Sequence, residues 1–555
     1  MNDTTRLTRN FALGLSVILL TVLVLVPLGL VMWRSFTPHD SFELLGPLTV
    51  VTQRNLVEVL INSLLLGALV VVGTTLIALP LAFLAARTEI GRARWLDLVL
   101  LIPFMTPPYI GSMGWILFMQ NRGLMDQFMP VFSFTRDTFF SMWGVVLVMS
   151  LHLYPFLYLI LKNALREIGG SLDDAGAICG GSFLYRLRRI TLPLIFSSYT
   201  MGALLVFVKT ISEFGTPATL GRRVGFYVLT TEIYRFTSNW PIDFASAAAL
   251  SSVLLVTSMI VWYVQSVLAD RYEYSVIGVS GAPARLQKLG RWRFVAWGYV
   301  ILTLLVSIGV PYFAIVGTSI MQVRGTGLVV DNLTLSHYAE IFRSGSLANR
   351  ALWTSLRLAF SAAILSLLLG TFFAIVVARS RGFFARLTDI SSLLSNTIPA
   401  IVVIVGLILF WNARWVPLRI YNTEYILVLA YTVLFLPFTV QYVKANLSQL
   451  GTSLFDAARV TGATPAYTFR RILLPLIRSG MVAGFIMTFI IAVRELVGSL
   501  MIRPPGTETT ATYIFQQFEQ GNASLGMAMA LVTIGVTTIV LLAIQRIPTT
   551  TAELQ

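Results

Sequence analysis

Twelve apolar runs, each near the length that crosses a bilayer, constrain this chain more than any other feature. They fall at roughly 11–33, 58–86, 95–119, 139–162, 194–216, 244–268, 294–317, 354–379, 387–411, 423–444, 476–500 and 524–545. A helix rising about 1.5 Å per residue needs about 20 residues to cross about 30 Å of hydrocarbon. The runs are continuous, not alternating, so helices are expected and barrel strands are not. Only 12% of the 555 residues are charged, where a soluble domain carries about 25%. The fold class is therefore all-α and polytopic. The run 11–33 is too long for a signal-peptide apolar region and lacks a small-residue cleavage site, so it reads as a retained first span.

The net charge of +15 does not point to nucleic acid, because the basic residues are scattered through short loops between spans. With the amino terminus in the cytoplasm, the inner segments collect roughly 24 of the 40 Lys and Arg residues, the bias that sets orientation. An even number of spans then puts both termini in the cytoplasm. Cys179 is the single cysteine, and the three histidines (His39, His152, His337) are far apart, so no metal-ligand spacing appears. No phosphate-binding loop of the form Gly-x-x-x-x-Gly-Lys-Ser/Thr occurs, and no nucleophile–His–acid set stands out. The chain is expected not to be an enzyme and to hold no cofactor.

The two halves repeat. Asp174, Gly180 and Pro193 correspond to Asp456, Gly462 and Pro475, each pair 282 positions apart. Pro155 and Pro437, Lys162 and Lys444, Gly202 and Gly484, and Glu213 and Glu495 share that offset. Earlier in the halves the offset is 292, pairing Ser63 with Ser355, Pro107 with Pro399, Gly114 with Gly406 and Phe118 with Phe410. Six spans per copy is an even number, so the copies are parallel, related by an axis along the membrane normal. The organisation expected is a first six-helix repeat over 1–268, a linker over 269–293 and a second repeat over 294–555.

The segments 174–193 and 456–475 carry an acidic residue and small residues (Asp174, Ala175, Gly176; Asp456, Ala457, Ala458), then Gly180 or Gly462, then Ile-x-Leu-Pro. This pattern resembles the EAA loop of the permeases of binding-protein-dependent ABC importers. The resemblance implies a short coupling helix in each repeat, docked on one of two copies of a cytoplasmic ATPase subunit that carries ATP and Mg. It also implies delivery of the solute by a periplasmic or extracellular binding protein, and residence in the bacterial inner membrane among lipid. Gly frees the backbone to leave the helix, and Pro193 and Pro475 are expected to mark return to the membrane. Gly176 stands where the second copy has Ala458, a departure that suggests an asymmetric pair. The stretches Ile211–Gly221 and Arg494–Leu500, followed by Arg503-Pro504-Pro505-Gly506, resemble the fused two-repeat permeases of the iron(III) importer family, which also has relatives for thiamine, polyamines and aminoethylphosphonate. An ion-coupled secondary transporter is the alternative from another class, and it would need carboxylates in mid-span.

Glu213 and Glu495, near the outer ends of equivalent spans, are candidates for the translocation path or gate, with Lys209 one turn before Glu213 as a partner. The competing reading is a pair of hydrated helix ends, or a pairing of Glu495 with its neighbour Arg494. Pro107, Pro108 and Pro399 read as kinks in the third span of each half, with broken helices lining the route as the alternative. His152 reads as a hydrogen-bonded intramembrane side chain. The small-residue clusters at Ala245–Ala249 and Gly526–Ala530 read as close helix packing.

Overall fold

The computed structural model describes residues 3–37, 41–53, 56–168, 175–271 and 286–545. Helices account for almost all regular structure among these residues, with two isolated bridges and no strand. Ten helices are long and apolar enough to cross a membrane, eleven if one bent pair counts as a single span. They match ten of the twelve apolar runs. The other two runs are the third of each half, and neither is a straight helix. The first is divided into Arg94–Leu100, Ile102–Met105 and Pro108–Met119. The second breaks between Phe383–Thr397 and Ala400–Trp411 with a bend of 114°. These are breaks, not the kinks expected from the prolines. Thr106 and Ile398, each just before a proline, are extended, the conformation toward which the pyrrolidine ring biases the residue before it.

The chain divides into two compact units. One holds 1–50, 233–255 and 335–555, and the other holds 51–232 and 256–334. In the second of these, Val57–Arg87, Met142–Glu167 and Leu192–Ser212 pack on one another. Trp292–Ser319 is laid against Pro108–Met119, and a Cβ on Gly114 would lie 2.7 Å from the Pro311 carbonyl oxygen. In the first unit, Leu347–Arg379, Glu424–Ser448 and Leu474–Val493 form the matching trio. Val26–Phe36 lies on Ala400–Trp411, and a Cβ on Gly406 would lie 2.7 Å from the Pro27 carbonyl oxygen. The opening helix of each half thus belongs to the unit built mainly from the other half. Bare glycines permit that approach, which is how apolar helices associate where lipid removes the hydrophobic drive. Ala247, Ala248, Ala249, Ala528 and Ala530 are fully buried, in keeping with the packing role expected of those clusters.

Proline also shapes four of the long helices. A π-helical turn ends two residues before Pro27, Pro193, Pro311 and Pro475, at Thr21–Leu25, Leu187–Thr191, Leu305–Gly309 and Thr468–Leu473. Proline lacks an N–H and its ring clashes with the carbonyl four residues back, and a wider turn relieves both.

Candidate functional site: paired loops and paired carboxylates

Asp174 lies outside the described residues. Residues 175–178 form a helical turn that closes at Gly180, which has φ +79°. Gly181 N–H donates to Gly176 O at 2.9 Å and Gly180 N–H to Ala177 O at 3.0 Å, a left-handed glycine stop that satisfies the last carbonyls. The second loop repeats this. Helix Thr452–Val460, which contains Asp456 and Ala457, stops at Gly462 with φ +78°, and Ala463 N–H donates to Ala458 O at 2.9 Å. Gly176 stands where the second loop has Ala458, and a Cβ there would lie 2.8 Å from Ile190 Cδ1 on the returning stem.

After each glycine the chain starts a new helix under the same cap. Ser182 Oγ accepts from Tyr185 N–H and Thr464 Oγ1 from Tyr467 N–H, both at 3.3 Å. The helices then run on through the π turns without interruption, so the apolar spans are Phe183–Ser212 and Pro465–Val493. Pro193 and Pro475 therefore lie inside a continuous helix and not at its start. The widened turn ahead of each lets the helix begin about ten residues earlier. Two residues escaped the sequence reading. Ile178 and Val460, 282 apart, are 86% and 88% exposed, so each loop presents an apolar side chain beside its glycine. The offset itself was the available signal.

Glu213 and Glu495 each follow the end of a long helix, Leu192–Ser212 and Leu474–Val493. Neither carboxylate is idle. Glu213 accepts from Gly215 N–H at 2.6 Å and Thr216 N–H at 3.0 Å. Glu495 accepts from Gly498 N–H at 2.9 Å and Ser499 N–H at 3.1 Å. Lys209 forms no ion pair with Glu213. The acid caps the turn that follows it, and the turn lies on the broken third-span helix of its unit. A Cβ on Gly215 would lie 2.9 Å from Tyr109 N, and one on Gly498 would lie 3.1 Å from Ile404 Cδ1. The chain then returns to a short helix whose first N–H is tied down. Ser63 Oγ accepts from Leu229 N–H at 2.8 Å, and its repeat partner Ser355 from Thr510 N–H at 2.7 Å.

A second symmetric device was half legible. Lys162 pairs with Asp97, which also accepts from Tyr158 OH at 2.5 Å, and Lys444 pairs with Asp389. The lysines were matched in the sequence, whereas Asp97 and Asp389, 292 apart, were not. His152 lines a small cavity with Thr106, Ser307 and Tyr312, where Thr106 Oγ1 and Tyr312 OH lie 2.7 Å apart. In the segments that follow the two glutamates, 501–523 and 217–243, Arg503 pairs with Glu508 and Trp240 is 90% exposed.

Residues 78–274 and 366–548 each match the family described as binding-protein-dependent transport system inner membrane component. Each match spans one of the loops and one of the glutamates. The chain belongs to this family. The permease is 25% identical over 505 residues to a ferric transport system permease protein of Actinobacillus pleuropneumoniae, covering 89% of this chain and 71% of the relative. An Fe(3+)-transport system permease protein of Haemophilus influenzae is 22% identical over 526 residues, 93% of this chain and 95% of its own. A Salmonella typhi protein named as a 2-aminoethylphosphonate transport system permease is 27% identical over 237 residues, which cover 43% of this chain and 88% of the relative. The permease is thus a multi-pass inner-membrane component that works with an ATPase and a solute-binding protein and is not itself an enzyme. Family membership sets aside the ion-coupled alternative.

Proposed function

We propose that this permease forms the translocation path for iron(III) handed over by a periplasmic or extracellular binding protein. The observation that carries the reading is coverage: the two ferric permeases align along 89% and 93% of the chain, including both repeats, whereas the aminoethylphosphonate relative aligns along 43%. Each repeat carries one loop with an exposed apolar residue beside a left-handed glycine, so two ATPase subunits dock, one per loop, and bind ATP and Mg themselves. Asp174, Ala175, Gly176 and Gly180 serve one, and Asp456, Ala457, Ala458 and Gly462 the other. The loops and both termini face the cytoplasm, following the basic bias. Glu213 and Glu495 hold the turns that gate the path. Their carboxylates are engaged by backbone N–H groups, so they are not free to ligate the passing ion, and selectivity rests with the binding protein.

The test is uptake by liposomes holding the permease and its ATPase, with the binding protein outside. ATP-dependent accumulation of labelled iron(III), unaffected by excess 2-aminoethylphosphonate, is expected. Accumulation of 2-aminoethylphosphonate without iron(III) would replace this reading with the other.

A further inference from the structure

The linker between the repeats does more than join them. Its carboxyl-terminal end returns to the turn that closes helix Val57–Arg87. Gln287 N–H donates to Arg87 O at 2.8 Å, and Glu89 N–H donates to Gln287 O at 3.2 Å, a one-residue parallel bridge across Thr88. Arg87 is buried, with 8% of its surface exposed, and its Nη2 donates to Ile168 O at 3.0 Å. Ile168 is the last described residue before the first loop. One turn back on the same helix, Phe83 packs edge-on against Phe183, ring centroids 5.8 Å apart. Phe183 is the third residue after Gly180. A small cavity lined by Phe83, Arg87, Phe183, Leu187, Thr191 and Gln287 completes the cluster. Both stems of the first loop and the linker therefore meet the last turn of one helix, one stem at the Arg87 guanidinium, the other at the Phe83 ring and the linker at the Arg87 carbonyl.

The second repeat has no such arrangement of rings. Ile375 stands at the position of Phe83 and Pro465 at that of Phe183, and the linker occurs once. We propose that Arg87, clipped by Gln287, is a positioning residue for the first loop: it fixes the stem ending at Ile168 to helix Val57–Arg87, beside the Phe83–Phe183 contact that holds the other stem, so that displacement of the loop by the ATPase is passed to that helix. The inference rests on the reading of 174–193 as a coupling loop. The clip also reaches Trp292–Ser319, whose first residue lies five positions beyond Gln287 and whose body packs on Pro108–Met119. The first loop thus has a mechanical connection to the broken third span that runs through the linker.

The experiment uses the full permease with its ATPase and binding protein in liposomes and reads ATP hydrolysed per solute delivered. Arg87→Ala removes the buried donor. Gln287→Pro removes the N–H that reaches Arg87 O and leaves the Arg87, Phe83 and Phe183 side chains unaltered. Both are expected to raise the ratio roughly threefold or more with the ATPase still bound, and Arg87→Lys, which keeps a donor, to bring it back to within about twofold of wild type. In parallel, the exposed Cys179 is crosslinked to a cysteine placed in the ATPase groove. Crosslinking in the wild type upholds the coupling reading, and slower crosslinking in Arg87→Ala supports the positioning role. An unchanged ratio in Arg87→Ala and Gln287→Pro, with wild-type crosslinking in both, overturns the positioning role and leaves the coupling reading intact. No crosslink in the wild type overturns the coupling reading and this inference with it. If Arg87→Ala does not assemble, Gln287→Pro decides.

Discussion

A carboxylate that accepts two backbone N–H groups is both a cap and a charge, and Glu213 and Glu495 are each so placed. Hydrogen bonds to an ionised group contribute about 1.5–3 kcal/mol, so Glu213→Gln or Glu495→Gln should loosen the turn after its helix and slow transport. The double substitution separates two accounts. Independent caps add, whereas a gate worked by both turns departs from additivity in transport rate by more than about 0.5 kcal/mol when the rates are compared. Additive losses would leave two local caps and no shared gate. The positions and pairing of these acids were legible, because a repeat offset needs no structure. Their partners were not: the sequence offered Lys209, but a backbone that turns sharply after Ser212 brings Gly215 and Thr216 to the carboxylate first. No hydropathy pattern encodes that turn.

At the scale of elements, ten apolar runs became helices within a few residues to about a dozen of where hydropathy set them, since span length follows from bilayer thickness. The two runs that did not become straight helices are the third spans, and the loop stems are a second place where proline was misread. In the third spans it ends one helix and begins another. In the loop stems it sits inside a continuous helix, behind a π turn. Run hydropathy is blind to this difference, which depends on whether the preceding residue is extended, as at Ile398, or helical, as at Leu474. The π turn has a consequence for coupling, since removing it would rotate the stem ahead by about 100° per residue. Pro475→Ala restores the N–H and lets the turn tighten. Uptake is expected to fall severalfold while the melting temperature of the complex stays near wild type. Wild-type uptake would show that the widened turn has no part in aiming the second loop.

For the whole molecule, the exchange of opening helices was not legible, because hydropathy gives a helix its length and not its neighbour. Only Gly114 and Gly406 bore a trace of it, as glycines at matched positions with no turn to make. Topology remains testable. Reporter fusions after Arg189 and after Arg223 should read cytoplasmic and outside respectively, and the same side for both would defeat the assignment of the loops to the cytoplasm.

The central claim is that the two glycine-closed loops join the permease to its ATPase, and ATP-driven uptake by Gly462→Asp compared with Gly462→Asn tests it most directly. At φ +78° with open space around the missing Cβ, both side chains meet the same backbone demand, and Asn and Asp are the residues that tolerate it best. They differ mainly in charge, which the end of helix Thr452–Val460 opposes by only about 0.3–1 kcal/mol, so a loss of the complex reports a docked partner. The account predicts normal membrane levels for both, uptake within about twofold of wild type for Asn, and near-zero uptake with lost ATPase association for Asp, with Gly180→Asp acting in the same direction. Full uptake and an intact complex in both Gly462→Asp and Gly180→Asp would contradict it.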